Sequence, residues 1–231
     1  MNAMRREYLQ ALELDTWVLR APAAVAAAVA PTAAVAPTDA GTLPDAELDW
    51  AALRARVAVC TRCALATTRT QTVFGVGNPE AQWFIVGEAP GAEEDRQGEP
   101  FVGRAGQLLN SMLHAIGLGR SDVYIANVLK CRPPGNRDPA AAEAAHCLSY
   151  LERQIALVAP KLLLVVGRIA AHQLLASDAP LGSLRQKTHA FGAARVPLVV
   201  TYHPAYLLRS PGEKRKAWED LQYAREVAAR V

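Results

Sequence analysis

Residues 82–109 read Gln82-Trp83-Phe84-Ile85-Val86-Gly87-Glu88-Ala89-Pro90-Gly91-Ala92-Glu93-Glu94-Asp95-Arg96-Gln97-Gly98-Glu99-Pro100-Phe101-Val102-Gly103-Arg104-Ala105-Gly106-Gln107-Leu108-Leu109. An unbroken apolar run, 83–86, gives way at Gly87 to a long acidic loop, and "GRAGQLLNSML" (103–113) then opens a helix. Apolar residues on every position, rather than on alternate ones, mark a strand buried on both faces. That is the situation of a parallel sheet with helices on either side. Three further runs repeat the pattern: "VYIANV" (123–128), "LLLVVG" (162–167) and "PLVVTY" (197–202). Helix-like stretches over 104–116, 139–159, 168–176 and 213–230 separate or follow them, and Asp138-Pro139 supplies a capping residue and a first-turn proline for the second. The expectation is a three-layer α-β-α domain around a mostly parallel central sheet.

Polar residues fall just beyond the strands. Glu88 follows the first, Asn127 ends the second, Gly167-Arg168 follows the third and His203 the fourth. Open parallel sheets bind ligands beyond the carboxyl ends of their strands, so Glu88, Asn127 and His203 are expected to converge. A lone Asn or His is usually structural; three at equivalent positions point to a site. Glycines 87, 91, 98, 103 and 106 let the loop backbone approach a ligand, and Pro90 and Pro100 stiffen it. The helix starting near Arg104 offers free N–H groups suited to a phosphate. The loop is not the GxxxxGK(S/T) phosphate loop, since no lysine follows its glycines, and Glu93, Glu94 and Asp95 would repel a triphosphate unless a metal intervened. Phe101 suits a core position or a flat face for a planar ring.

The chain has 231 residues, 51% of them hydrophobic, and a formal charge of +3. It has no unbroken apolar run of roughly 18 residues, so no membrane span is expected. Its charged first residues do not resemble a signal peptide, which suggests the cytoplasm. Residues 1–43 read as a short amphipathic helix followed by an Ala/Pro-rich flexible linker, and 44–231 as the folded domain, with a helix over 49–59. In a reducing compartment the four cysteines, Cys60-x2-Cys63, Cys131 and Cys147, suit a metal site better than disulfides. They would complete a zinc or a [4Fe–4S] site, and four buried free thiols are the structural alternative.

Together these stretches resemble the family 4 uracil-DNA glycosylases, the iron–sulfur branch of the uracil glycosylase superfamily. The similarity runs from about residue 50 to the C-terminus, on "GEAPGAEEDRQGEPFVGRAGQLL", "YIANVLKCRPPGNRDP", "VVGR", "TYHPAYLLR" and the order of the cysteines. The resemblance implies a structural [4Fe–4S] cluster on Cys60, Cys63, Cys131 and Cys147. It also implies hydrolysis of the N-glycosidic bond of deoxyuridine in DNA, leaving an abasic site without strand cleavage, by a monomer. Phe101 would then stack on the uracil. Asn127 would read O4 and N3–H, His203 would donate to O2, and Gly87, Ala89 and Gly91 would line the pocket. The best-known relatives carry an aspartate in "GQDPY" where this chain has "GEAPG", so Ala89 stands in its place. Glu88 is then the first candidate for positioning water or excluding the thymine methyl, with Glu94 and Asp95 next. Arg104, Lys130, Arg132, Arg209 and Lys214 lie where DNA phosphates are expected. Leu207 or Leu208 would wedge into the gap left by a flipped base. Competing readings are a covalent uracil-trapping relative, an iron–sulfur DNA-binding or redox-sensing protein without catalysis, and a zinc-stabilised nucleotide-binding module. The loop after the second strand contains no histidine, which favours turnover over trapping.

Overall fold

The computed structural model describes residues 44–231. The helix and linker expected over 1–43 lie outside the described residues. In chain order the elements are α1 (Trp50–Ala58), β1 (Val76–Gly77), β2 (Trp83–Gly87), α2 (Ala92–Gln97), α3 (Arg104–Ala115), β3 (Val123–Asn127), α4 (Ala141–Val158), β4 (Leu162–Val166), α5 (Arg168–Leu175), α6 (Leu181–Leu184), β5 (His189–Phe191), β6 (Val196–Thr201), α7 (Pro204–Arg209) and α8 (Lys214–Ala228). The six-stranded sheet has the order β1-β3-β2-β4-β6-β5. The four inner strands are parallel, and β1 and β5 close the two edges antiparallel. The chain leaves β2 to one side for β3 and returns to its other side for β4. The order therefore switches direction at β2, where ligands of open α/β sheets bind.

The inner strands β2, β3 and β4 are buried along their whole length and β6 from Leu198 on, yet their side chains still alternate between two cores. Phe84, Val86, Ala126, Leu163, Val165 and Val200 face α4 and α5. Ile85, Val123, Ile125, Leu164 and Val199 face α3 and α8. A smaller cluster of Leu53, Val57, Phe74 and Tyr150 seats α1 on α4. The three-layer arrangement is thus as the sequence implied.

Three local expectations are corrected. The long helix begins at Ala141 rather than Pro139, because Glu143 reaches back to the Ala140 N–H (2.8 Å) and caps it there. Asp138 instead lies 3.6 Å from Arg168. The edge strands β1 and β5, two and three residues long, carry no pattern from which they could be read. The helices α2 and α7 fall inside loops of the sequence reading; α2, "AEEDRQ", has no apolar stripe at all.

The strand that delivers His203 is tied to α8 by a buried charge. Asp220, fully buried, accepts from Arg185 Nε (2.7 Å), Gln186 Nε2 (2.8 Å) and the Thr201 hydroxyl (2.8 Å). Removing one member of such a group leaves the others buried without a partner, at about 3–5 kcal/mol. Asp220→Ala should lower unfolding stability by about that amount in urea titrations; a loss under about 1 kcal/mol would show that Arg185 finds another partner.

Candidate active site and thiol cluster

A cleft of about 400 Å³ opens at the carboxyl ends of the strands. Glu88, Ala89, Gly91, Glu94, Phe101, Asn127, His203 and Arg209 all line it. The three residues expected to converge do so. Gly87 and Asn127 are direct partners across β2 and β3. A Cβ on Gly87 would stand 2.3 Å from Asn127 Oδ1 and 2.6 Å from Phe101 Cζ. The absence of a side chain there is what lets both groups close over the strand end.

Asn127 is 2% exposed, and its Oδ1 is buried without a hydrogen-bond partner. An unsatisfied buried acceptor costs about 1–3 kcal/mol, so it marks where a ligand N–H is wanted. The backbone carbonyl of Asn127 is held by Lys130 Nζ (2.8 Å). Phe101 has φ +55°, a left-handed conformation that bulky residues rarely adopt. The loop holds it there from several sides. Glu94 Oε1 accepts from Val102 N–H (3.0 Å) and Gly103 N–H (3.1 Å), and its Oε2 from Gly91 N–H (3.1 Å). Arg120 donates to the Phe101 (3.3 Å) and Pro100 carbonyls. Gly106 lies under Phe101, where a Cβ would fall 1.8 Å from its carbonyl oxygen.

His203 sits at the N-cap of α7, and its Nδ1 accepts from Ala205 N–H (3.1 Å). The ring proton of the neutral imidazole is therefore on Nε2. Burial, with the charge of Arg209 second, lowers its pKa to about 4. Its ring centroid is 5.7 Å from that of Phe101. Glu88 moves the other way: burial first, then Asp138, raises it to about 7, opposed by Arg168. The cleft thus holds one carboxyl and one imidazole whose pKa values have been pushed apart and past each other.

Other expected residues fall elsewhere. Asp95 is buried away from the cleft, and both its oxygens accept from Thr70 N–H (3.0 and 3.1 Å). Glu94 lines the cleft, but its oxygens are occupied by the loop. Lys130 is 1% exposed and donates to Gln154 Oε1 (2.6 Å) as well as to Asn127, so it cannot meet a phosphate. Leu207 is 1% exposed and packs under α3, which removes it as a wedge; Leu208 is half-buried. Arg104, Arg209 and Lys214 are exposed, whereas Arg132 is half-buried and bonds Asn136 Oδ1 (2.7 Å). Asn136, Arg137, Asp138 and Ala205 also line the cleft; the sequence marked Asp138 only as a helix cap and did not single out the other three, although 136–138 sit in a stretch that the resemblance used.

The four cysteines, distant in sequence, line one small cavity together with Arg62, Arg69, Lys130, His146 and Tyr150. Arg69 Nη1 lies 3.1 Å from Cys131 Sγ. Burial raises the Cys131 thiol, and raises Cys147 to about 11. Among the described residues, no group of three or more His, Cys, Asp or Glu is arranged to hold a metal ion. Four thiols lining one cavity, with Arg69 beside Cys131, are a donor set whose chemistry suits a metal or iron–sulfur group.

The model of the "Uracil DNA glycosylase superfamily" matches residues 74–222. The chain is 42% identical over 177 residues to a type-4 uracil-DNA glycosylase of Archaeoglobus fulgidus, covering 74% of this chain and 89% of the relative. It is 40% identical over 174 residues to the type-4 enzyme of Thermotoga maritima, covering 74% and 90%. A type-5 uracil-DNA glycosylase of Thermus thermophilus is 34% identical over 134 residues, covering 52% and 59%.

Gly87→Ala should force Asn127 and Phe101 apart and lower stability by about 1–3 kcal/mol, the usual effect of overpacking. Thermal unfolding measures the second, and a crystal structure of the variant the first. Both side chains unmoved in that structure would mean the contact at Gly87 is not what shapes the cleft.

Proposed function

The chain belongs to the uracil DNA glycosylase superfamily, and from that premise we propose that it excises uracil from DNA in base-excision repair, as a hydrolase of the type-4 kind. The observation that carries the reading is the buried, unpartnered Asn127 Oδ1 beside Phe101 and His203. Uracil presents an N3–H donor next to an O4 acceptor. The Asn127 carbonyl and amide complement both, whereas cytosine reverses the pair and would leave each group unmatched. Such a pocket reads a base only after it has left the duplex stack.

The C1′–N1 bond breaks with its electron pair passing to the uracil ring, whose charge gathers on N1 and O2. The His203 Nε2–H donates to O2 and holds that charge; a neutral imidazole does this without leaving a proton behind. The cationic sugar is captured by water, whose oxygen bonds to C1′. Glu88, as a carboxylate, orients the water and accepts its proton. With Ala89 at the place of the usual aspartate, Glu88 offers oxygens not engaged by the loop, while Asp138, also in the cleft wall, lies 3.6 Å from Arg168. The charge separation is largely complete before water bonds, so orientation and electrostatics carry most of the work.

Cys60, Cys63, Cys131 and Cys147 would hold a [4Fe–4S] cluster. When bound it supplies a structural cross-link, not a step in the hydrolysis. It would fasten the segment after α1 to the loop after β3 and to α4. The four thiols around one cavity and the adjacent Arg69 and Lys130 support the assignment.

Incubation with a labelled uracil-containing oligonucleotide, followed by alkali, should cut the strand at uracil and release the free base. A denaturing gel without alkali should show neither cleavage nor a covalently shifted band. His203→Ala should lower the single-turnover rate by about 10²–10³. The wild-type rate should rise as pH passes through about 7, because Glu88 is protonated below it, with a single inflection between about pH 5 and pH 9, because His203 stays neutral down to about 4. Glu88→Gln should flatten the rise. A profile that falls through pH 7 would remove Glu88 as the water-orienting carboxylate.

Protein purified without oxygen should be brown, with about four irons and four sulfides per chain. Cys131→Ser should lose the colour and the solubility together. Stoichiometric zinc with no iron would overturn the cluster assignment.

A further inference from the structure

With Leu207 buried, Tyr206 and the half-buried Leu208 are the large apolar side chains of α7 left to meet a duplex where the uracil leaves it. We propose that Tyr206 is the residue whose ring fills that gap, stacking on the base pair exposed when the deoxyuridine leaves the helix. The inference rests on the uracil-excision reading. Among the described residues Tyr206 is one of the few large apolar side chains open to solvent, at 38% exposure. It lies on α7, the same short helix that gives Ala205 and Arg209 to the cleft, yet its own ring is not part of the cleft wall. It therefore faces what lies outside the pocket rather than the extracted base.

The ring is also backed in a way that an incidental surface tyrosine does not require. It stacks on Tyr202, with centroids 5.4 Å apart and planes 13° from parallel. Arg185 packs over Tyr202 at 4.7 Å. Arg185 is in turn fixed by Asp220 (2.7 Å) and by the Lys216 carbonyl (2.6 Å). A wedge must hold its place against bases that tend to restack. A flat ring fixed by a second ring and a buried ion pair loses little conformational entropy on doing so, and it offers a π face that accepts any base.

The test compares single-turnover excision from a duplex with excision from the same strand alone, since only the duplex has a gap to fill. Aromatic–base stacking is usually worth about 5- to 150-fold by alanine substitution. Tyr206→Ala should lower the duplex-to-single-strand rate ratio by about tenfold or more, and Tyr206→Phe should restore it to within about twofold. A merely structural tyrosine would move both rates together. No change in the ratio for Tyr206→Ala, or an equal loss on both substrates, would overturn the proposal. Excision by the wild-type protein on either substrate keeps the uracil reading separate from that outcome.

Discussion

Everything in the cleft depends on one missing atom, the Cβ that Gly87 does not carry. Gly87 ends β2 directly opposite Asn127, and the contact of Asn127 and Phe101 over its bare Cα brings three separate segments into one wall. Phe101 can reach that point only in a left-handed backbone conformation, which by itself is unfavourable for a phenylalanine. The acidic loop is the answer to that strain. Glu94 bonds amides on both sides of the loop, Asp95 anchors it to Thr70, and Arg120 grips the carbonyls at its far end. Charges that look from the sequence like a surface for a ligand are mostly consumed in fixing the backbone.

The same wall reaches inward to the thiols. Lys130 holds the Asn127 carbonyl and Gln154 Oε1, and Gln154 Nε2 donates to the Phe74 carbonyl (2.9 Å). The next residue is Cys131. A lysine buried to this degree must have its charge compensated, and neutral carbonyls compensate it only in part. Anionic sulfur beside it would complete the compensation. Burial pushes Lys130 down to about 7, so thiolates held in a cluster as proposed above would favour its charged form and with it the hydrogen bond to the Asn127 carbonyl.

The sheet, its parallel core and the layers were legible because fully apolar runs between helical stretches leave few alternatives. The convergence of Glu88, Asn127 and His203 was legible for a topological reason: all three follow parallel strands, and parallel strands end on one side. The edge strands were not, since two- and three-residue strands are fixed by their neighbours and not by their own pattern. The burial of Lys130 and Leu207 was hidden for a different reason. Lys130 follows a strand among basic residues, and only the chain fold shows that it turns inward. On a helix as short as α7, periodicity cannot say which of Tyr206, Leu207 and Leu208 faces the core. The direction of α7 against α3 decides it, and that is a tertiary fact.

The opposite pKa movements of Glu88 and His203 share a leading cause, burial, and that cause serves the chemistry. In water an imidazole would be partly cationic and a carboxyl fully anionic near neutrality, and the two would attract. In the cleft the imidazole is neutral and the carboxyl lies near its midpoint. These two groups therefore carry little charge at rest. The reaction itself creates charge, negative on the base and positive on the sugar, and both develop in a cleft walled by Phe101, Ala89 and Ala205. There the proposed donor at His203 Nε2 and the proposed acceptor at Glu88 would act with less screening than in water. A cationic histidine would stabilise the leaving base more strongly, but it would also meet the cationic sugar. Burial, with the charge of Arg209 at the rim of the cleft adding to it, prevents that by holding the imidazole neutral.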